Sequence, residues 1–394
     1  MNDRHSFHSA VYKILRVIVA PILKPIWRYH CDKVDPNIGP YIVLSNHVTN
    51  LDPLFVSLAF PQQMYFVSTE QIFRLGLLSK IINYLVAPIM RLKARTESRT
   101  AIEILRRLRS GANVCMFAEG SCTWNGETCP LPSATGKLIK KSGVGLVTYR
   151  LEGGYLARPR WSVERRRGPI TGHCVHVYSA ADLEAMTLDE ITEAIRGDLY
   201  YNACADGRPS VPYHSKSPAE HLELALAVCP ACHGLSTLHS HGDEVFCSCG
   251  LRVKYTDYGR FLLPSGNAFM FKTVLDWDIW QKQYLAEHSE ELAQSKSVLV
   301  FDNDVQLIRF EPAGKSETII TGTLKLFSDR LVVSGQKEIT FPLADITDIA
   351  ASKNSRLSIS TRDNEFYEFR SKNLFSALKY ILICSNITDA HTLS

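Results

Sequence analysis

Apolar residues fall along this chain in two rhythms. Over residues 1–215, short apolar runs alternate with stretches at helical spacing. Tyr41-Ile42-Val43-Leu44, Asn113–Phe117, Gly145–Tyr149 and His173–Tyr178 read as strands, because short continuous apolar runs between turn signals suit strands covered on both faces. Leu54–Ala59 reads as a helix opened by Asp52 as N-cap and Pro53 at the first helical position. Gln71–Leu85 is an apolar helix, and Leu188–Tyr201 is another. Glu97–Arg109 sets Ile102, Leu105 and Leu108 on one helical face. Strands alternating with helices predict an α/β layer architecture. Residues 1–30 predict a helix broken at Pro21 and Pro25, since a proline ring clashes with the preceding turn and lacks an N–H.

The second rhythm begins after Asp206–Pro218, a Pro-, Ser- and Gly-rich linker. Cysteine knuckles follow, and Asn267–Gln294 reads as helix with Trp277 and Trp280. From Val298 the pattern alternates, as a half-buried strand does. Val298–Phe301, Gln306–Phe310, Ile319–Leu326, Leu331–Ser334, Glu338–Phe341, Leu357–Thr361 and Glu365–Phe369 are the expected strands, and Leu374–Cys384 is a closing helix. The expected divisions are an N-terminal segment (1–30), an α/β domain (31–215), a cysteine segment (225–262), a helical connector (263–297) and a β module (298–394).

Composition narrows the class. With 45% hydrophobic and 21% charged residues, the chain is neither disordered, collagenous nor a coiled coil. The net charge of +4 is mild, but it is unevenly placed. Residues 1–30 carry five Lys/Arg against one acid, residues 91–110 seven against two, and residues 136–167 nine against two. A basic side chain near an anionic leaflet contributes about 1 kcal/mol. No nucleic-acid-binding signature accompanies these patches, so nucleic acid is not an expected partner. Val11–Trp27 is interrupted by Lys13, Arg16 and Lys24, so a spanning helix is not expected. The segment reads as interfacial instead, aliphatics on one side and Lys and Arg on the other, ending in Trp27 and Tyr29. No cleavage-site pattern follows a short apolar core, so no secretory signal is expected. The expected location is the cytoplasmic face of a membrane, peripheral or monotopic.

The chemistry begins at Asn46-His47-Val48-Thr49-Asn50-Leu51-Asp52, where a strand hands over to a helix. A strand end is where α/β proteins place reacting groups. Five residues let the Asp52 carboxylate fold back on the His47 imidazole, orient it and support its charged form, so that the ring can act as a general base. A second strand ends in Ala118-Glu119-Gly120-Ser121, followed by Cys122-Thr123-Trp124. Between the two lies Pro88-Ile89-Met90-Arg91-Leu92-Lys93-Ala94, and after them comes Gly136-Lys137-Leu138-Ile139-Lys140-Lys141.

This order of blocks, across roughly residues 30–180, resembles the 1-acylglycerol-3-phosphate (PlsC-like) glycerolipid acyltransferases. The resemblance implies that His47 takes the proton of a lysolipid hydroxyl and that Asp52 orients His47. It implies that Glu119 and Gly120 help position the acceptor. Its phosphate would be held by cations drawn from Arg91, Lys93, Arg95 and Lys137, because a desolvated phosphate needs fixed positive charge. The acyl donor would be acyl-coenzyme A or an acyl-carrier-protein thioester, and the acceptor a lysophosphatidate-like membrane lipid. Two positions depart from the family spelling: Ala118 stands where Pro is usual, and Cys122 where Arg is usual. Both bear on which acceptor is used. The alternatives are another lysophospholipid or a glycolipid as acceptor, a lipid-binding adaptor without turnover, or a thioesterase-like hydrolysis.

Eleven cysteines at irregular spacing make a poor disulfide framework and suggest a reducing compartment. Cys229-Pro230-Ala231-Cys232 and Cys247-Ser248-Cys249-Gly250 resemble the paired knuckles of a zinc ribbon, which implies a structural zinc held by Cys229, Cys232, Cys247 and Cys249. His233, His239 and His241 are alternative ligands. The remaining cysteines have no such pattern and read mostly as small buried hydrophobes. The C-terminal strands and closing helix resemble a pleckstrin-homology-like (PH-like) β-barrel, which could dock lipid or a protein partner. The expected architecture is therefore an α/β acyltransferase domain, a small zinc ribbon and a PH-like β-barrel.

Overall fold

A computed structural model describes residues 2–69, 77–91, 98–310 and 316–393. The chain forms two compact units, one of residues 1–159 and 166–213, the other of residues 160–165 and 214–394.

The first unit begins with α1 (Asn2–Trp27) and β1 (Tyr29–Cys31). β2 (Tyr41–Ser45), α2 (Asp52–Ala59), β3 (Met64–Thr69), α3 (Leu77–Val86), β4 (Ile89–Arg91), α4 (Ser98–Arg109) and β5 (Asn113–Phe117) follow. α5 (Ala134–Ser142), β6 (Gly145–Glu152), α6 (Gly154–Ala157), β7 (Ile170–Tyr178), α7 (Ala180–Ala185) and α8 (Leu188–Leu199) complete it. Its seven strands form one sheet in the order β1-β7-β6-β2-β5-β3-β4. All neighbours are parallel except β6 and β7. Central β2 is buried along its whole length, as its unbroken apolar run requires. Ser45 on β2 and Phe117 on β5 are register partners, so both strands end at the same level.

Helix α1 runs unbroken through Pro21 and Pro25. Both prolines lie on its exposed side, while Tyr12, Leu23 and Trp27 anchor it in the core. The carbonyls that lose their helical partners are those of Val17 and Pro21, themselves exposed residues. The expected segregation also differs. Ile14, Ile18, Ile22 and Ile26, spaced four apart, form an exposed ridge beside exposed Val17, with Lys13 and Lys24 also exposed. The buried face is aromatic: the Tyr12 hydroxyl donates to the carbonyls of Ser57 and Phe60, both at 3.1 Å. Leu77, Leu78, Ile81 and Tyr84 of α3 are exposed too, and Phe7 of α1 meets the Tyr84 ring at 5.2 Å. Among the described residues, no helix is long and apolar enough to cross a membrane.

The second unit carries β8 (Leu238–His241), β9 (Glu244–Cys247), β10 (Arg252–Tyr255) and β11 (Phe261–Leu262) as a small antiparallel sheet. α9 (Val274–Glu287) and α10 (Ser289–Gln294) follow. Then come β12 (Val300–Phe310), β13 (Ser316–Leu326), β14 (Arg330–Ser334), β15 (Glu338–Pro342), β16 (Ile346–Ser352), β17 (Arg356–Thr361), β18 (Phe366–Ser371) and α11 (Ala377–Leu393). β12–β18 form one antiparallel sheet in the order β15-β14-β13-β12-β18-β17-β16. No pairing joins β15 to β16 among the described residues, so the backbone ladder is open at both edges. Two expected strands, Val298–Phe301 and Gln306–Phe310, are one: β12 continues between them through an irregularity from Asp302 to Val305, with Asp304 at φ +57°. On α11, Lys379 Nζ and the Tyr380 hydroxyl both reach Asp302, at 2.8 and 2.7 Å.

The short segment 160–165 belongs to this second unit. Trp161 is wholly buried, its ring edge-on to Tyr255 at 5.8 Å. The Arg160 guanidinium donates to the carbonyls of Ala351 at 2.8 Å and Lys353 at 3.1 Å.

Candidate active site

The shared level of β2 and β5 brings two loops together at their carboxyl ends. The loop after β2 is fixed by Asn46, whose amide exchanges two hydrogen bonds with the Leu151 backbone, at 2.9 and 2.7 Å. His47 follows. Its Nδ1 lies 2.7 Å from Asp52 Oδ2, and its ring stacks on Phe117 at 4.6 Å between centroids.

Asp52 does more than orient that ring. It is the first residue of α2, and Leu51, not Asp52, is the N-cap. Its carboxylate turns backward instead: it accepts from the Val48 N–H at 2.7 Å, the Thr49 N–H at 2.9 Å and the Thr49 hydroxyl at 2.7 Å. One fully buried carboxylate thus shapes the turn and holds the imidazole.

Glu119 is also buried, and both of its oxygens are occupied by backbone. Oε1 accepts from the His47 N–H at 2.6 Å, and Oε2 from the Cys129 N–H at 2.5 Å. Burial pushes its carboxyl up to about 7, against the pull of those two N–H donors. Its contact is therefore with the histidine loop. Gly120 adopts φ +69°, which favours glycine, and a Cβ there would meet Arg91 Nη1 at 2.7 Å. The Arg91 guanidinium, at the end of edge strand β4, thus lies against the Glu-Gly turn. Lys137 is exposed on α5, with no hydrogen bond or ion pair to His47 or Glu119 among the described residues. Lys93 and Arg95 lie outside the described residues.

Sequence reasoning passed over one member of the site. Cys122 Sγ lies 3.4 Å from His47 Nε2, and the Thr123 N–H donates to the His47 carbonyl at 3.2 Å. The available signal was position: Cys122 stands two residues past Gly120, on the loop that the strand register delivers to His47. Burial opposes a charge on His47. The Cys122 sulfur and the Asp52 carboxylate outweigh it and hold the imidazole well above its ordinary value of 6.5.

In the second unit, the sulfurs of Cys229, Cys232, Cys247 and Cys249 all lie within 4.8 Å of one another. Cys229–Cys249 and Cys232–Cys247 are separated by 3.7 and 3.8 Å. Zinc–sulfur bonds of about 2.3 Å give a tetrahedron with edges of about 3.8 Å, so the four thiols fit such an ion. The three histidines are elsewhere: His233 packs on Tyr284 at 4.9 Å, His239 on Phe246 at 5.9 Å, and His241 is exposed beside Glu220.

Residues 28–152 match the family Acyltransferase. Among solved structures, the chain is similar to the 1-acyl-sn-glycerophosphate (LPA) acyltransferase PlsC from Thermotoga maritima, with 17% identity and a TM-score of 0.41 over 50% of this chain and 82% of that one. It is also similar to the N-terminal PH domain of the human ARAP2 protein, with 19% identity and a TM-score of 0.18 over 26% of this chain and 90% of that one. No curated protein matches the chain.

Proposed function

We propose, for a chain whose residues 28–152 belong to the acyltransferase family, that the protein moves a fatty acyl group from a thioester to the free hydroxyl of a lysophosphatidate-like lipid, giving a phosphatidate-like product. The observation that carries this reading is the His47–Asp52 pair at 2.7 Å on the loop between β2 and α2. With Nδ1 committed to Asp52, Nε2 is the nitrogen that takes up the acceptor's proton. Arg91, against Gly120, holds the acceptor's phosphate. Glu119 positions His47 through its backbone N–H.

The lipid surface is met by the isoleucine ridge of α1 and the exposed apolar side chains of α3. Exposed apolar side chains with lysines beside them suit the headgroup boundary. The four-cysteine cluster holds a structural zinc: with four thiolates as ligands, no position is left open for catalysis. The β12–β18 module is a PH-like docking domain for lipid or a protein partner.

The test is acyl transfer by purified protein in lipid vesicles, with lysophosphatidate as acceptor and both coenzyme A and carrier-protein thioesters as donors. Product formed by the wild type and lost in His47→Ala supports the reading. Product with another lysophospholipid or a glycolipid alone would reassign the acceptor, as Cys122 in place of Arg allows. No transfer to any of them, with lipid binding intact, would leave the adaptor reading.

A further inference from the structure

His47 has two ring nitrogens, and both are engaged. Nδ1 faces Asp52 at 2.7 Å, and Nε2 faces the sulfur of Cys122 at 3.4 Å. The nitrogen that the acceptor's hydroxyl needs therefore already faces a thiol. Nucleophile, base and orienting carboxylate stand in the order of a thiol triad, in which each group is within reach of the next. The contact is built in from both sides. The Thr123 N–H ties the cysteine loop to the His47 carbonyl, and Phe117 sets the plane of the ring. Cys122 is half-buried, unlike the wholly enclosed Cys115 of β5.

We propose that Cys122 is the first acyl acceptor, so that transfer runs through an acyl-Cys122 thioester; this rests on the acyl-transfer reading of the same site. In the first half-reaction His47 Nε2 takes the Sγ proton and the sulfur attacks the donor carbonyl. A C–Sγ bond forms, the C–S bond to the carrier breaks, and the leaving thiolate receives the proton from Nε2. Acylated Sγ carries no proton, and Nε2 becomes free to serve the lipid. In the second half-reaction the acceptor hydroxyl gives its proton to Nε2 and its oxygen attacks the thioester. A C–O bond forms, the C–Sγ bond breaks, and Sγ regains the proton. One thioester and one alcohol are consumed, one thiol and one ester are made, and nothing is oxidised or reduced.

The experiment is to incubate the full-length protein with radiolabelled palmitoyl-coenzyme A and no acceptor, then quench, digest and map the label by mass spectrometry. The expected result is close to one acyl group per chain on Cys122, released by neutral hydroxylamine. Cys122→Ala should abolish that label and His47→Ala should slow its formation about 10²–10⁴-fold. Cys122→Ser keeps the shape of the site and should give no label or one that resists hydroxylamine. The wild-type peptide map decides the matter even if a variant misfolds. No label on the wild type, or a label undiminished in Cys122→Ala, overturns the inference. Lipid product without a labelled enzyme overturns the inference but keeps the acyl-transfer reading. Label on Cys122 without any lipid product does the reverse for the lysolipid acceptor.

Discussion

Ser45 and Phe117 are register partners on adjacent parallel strands, and this pairing places His47 and Glu119, each two residues further on, in direct contact. The loop that carries His47 is thus held by two carboxylates, Asp52 at the imidazole and Glu119 at the backbone.

The first consequence is a pH profile. In the proposed reaction His47 accepts a proton only when neutral, and its proton affinity is raised above the ordinary 6.5. Activity should rise with pH along an acid limb whose inflection lies above that value. Asp52→Asn removes one of the groups that raise it, so the inflection should move down while the rate falls by about 10²–10⁴-fold. An unmoved inflection in Asp52→Asn would separate Asp52 from the titrating group.

Glu119 should mark the stability curve. Its folded value, about 7, lies above the ordinary 4.5, so the folded state binds the proton more tightly. That contribution is fully present below about 4.5, falls as pH rises, and is gone above about 7; in full it is roughly 3 kcal/mol. Urea unfolding at pH 5 and pH 8 should show the wild type losing most of this relative to Glu119→Gln, which cannot titrate. Parallel behaviour of the two proteins would refute the assignment.

Gly120→Ala places a methyl group where the Arg91 guanidinium lies and strains a positive φ. Arg91→Gln removes the charge without that strain. Both should raise KM for a phosphate-bearing acceptor more than they lower kcat, about tenfold or more for the loss of a charge-assisted hydrogen bond. An unchanged KM in Arg91→Gln would send the phosphate elsewhere.

Elemental analysis of protein purified without chelator should find one zinc per chain. Its removal should lower the melting temperature of the second unit, because ligand binding to the folded state is folding free energy. Cys232→Ser should do the same without added chelator. A metal content below about half an equivalent would count against the site.

Ile18→Ser with Ile22→Ser should weaken vesicle partition by on the order of 10²-fold, since each isoleucine buries about 1.5–3 kcal/mol of apolar side chain at most. Both residues are exposed, so the melting temperature should hold. Unchanged partition would remove α1 from the membrane contact.

The local parts of this fold could be read from the text. Asn113–Phe117 is a strand with the expected ends, and the five-residue span from His47 to Asp52 closes as short-range geometry suggests. What could not be read was non-local. β1 and β4 are three-residue strands, too short for a periodicity, and exist because a neighbour pairs with them. Pro21 reads as a breaker, but tertiary anchoring by Leu23 and Trp27 carries the helix past it. Cys122 and His47 are 75 residues apart, and the register of β2 and β5 brings their loops together.

Residues 160–165 lie between α6 and β7 by sequence but belong with residues 214–394 by packing. The two units therefore cannot be parted by one cut of the gene. A fragment ending at Tyr213 would carry the Trp161 indole without the Tyr255 ring that covers it, and the Arg160 guanidinium without its two carbonyls. A fragment starting at His214 would have an indole-sized hole where Trp161 belongs. The polypeptide is laced: six residues that the first unit's chain passes through are part of the second unit's packing.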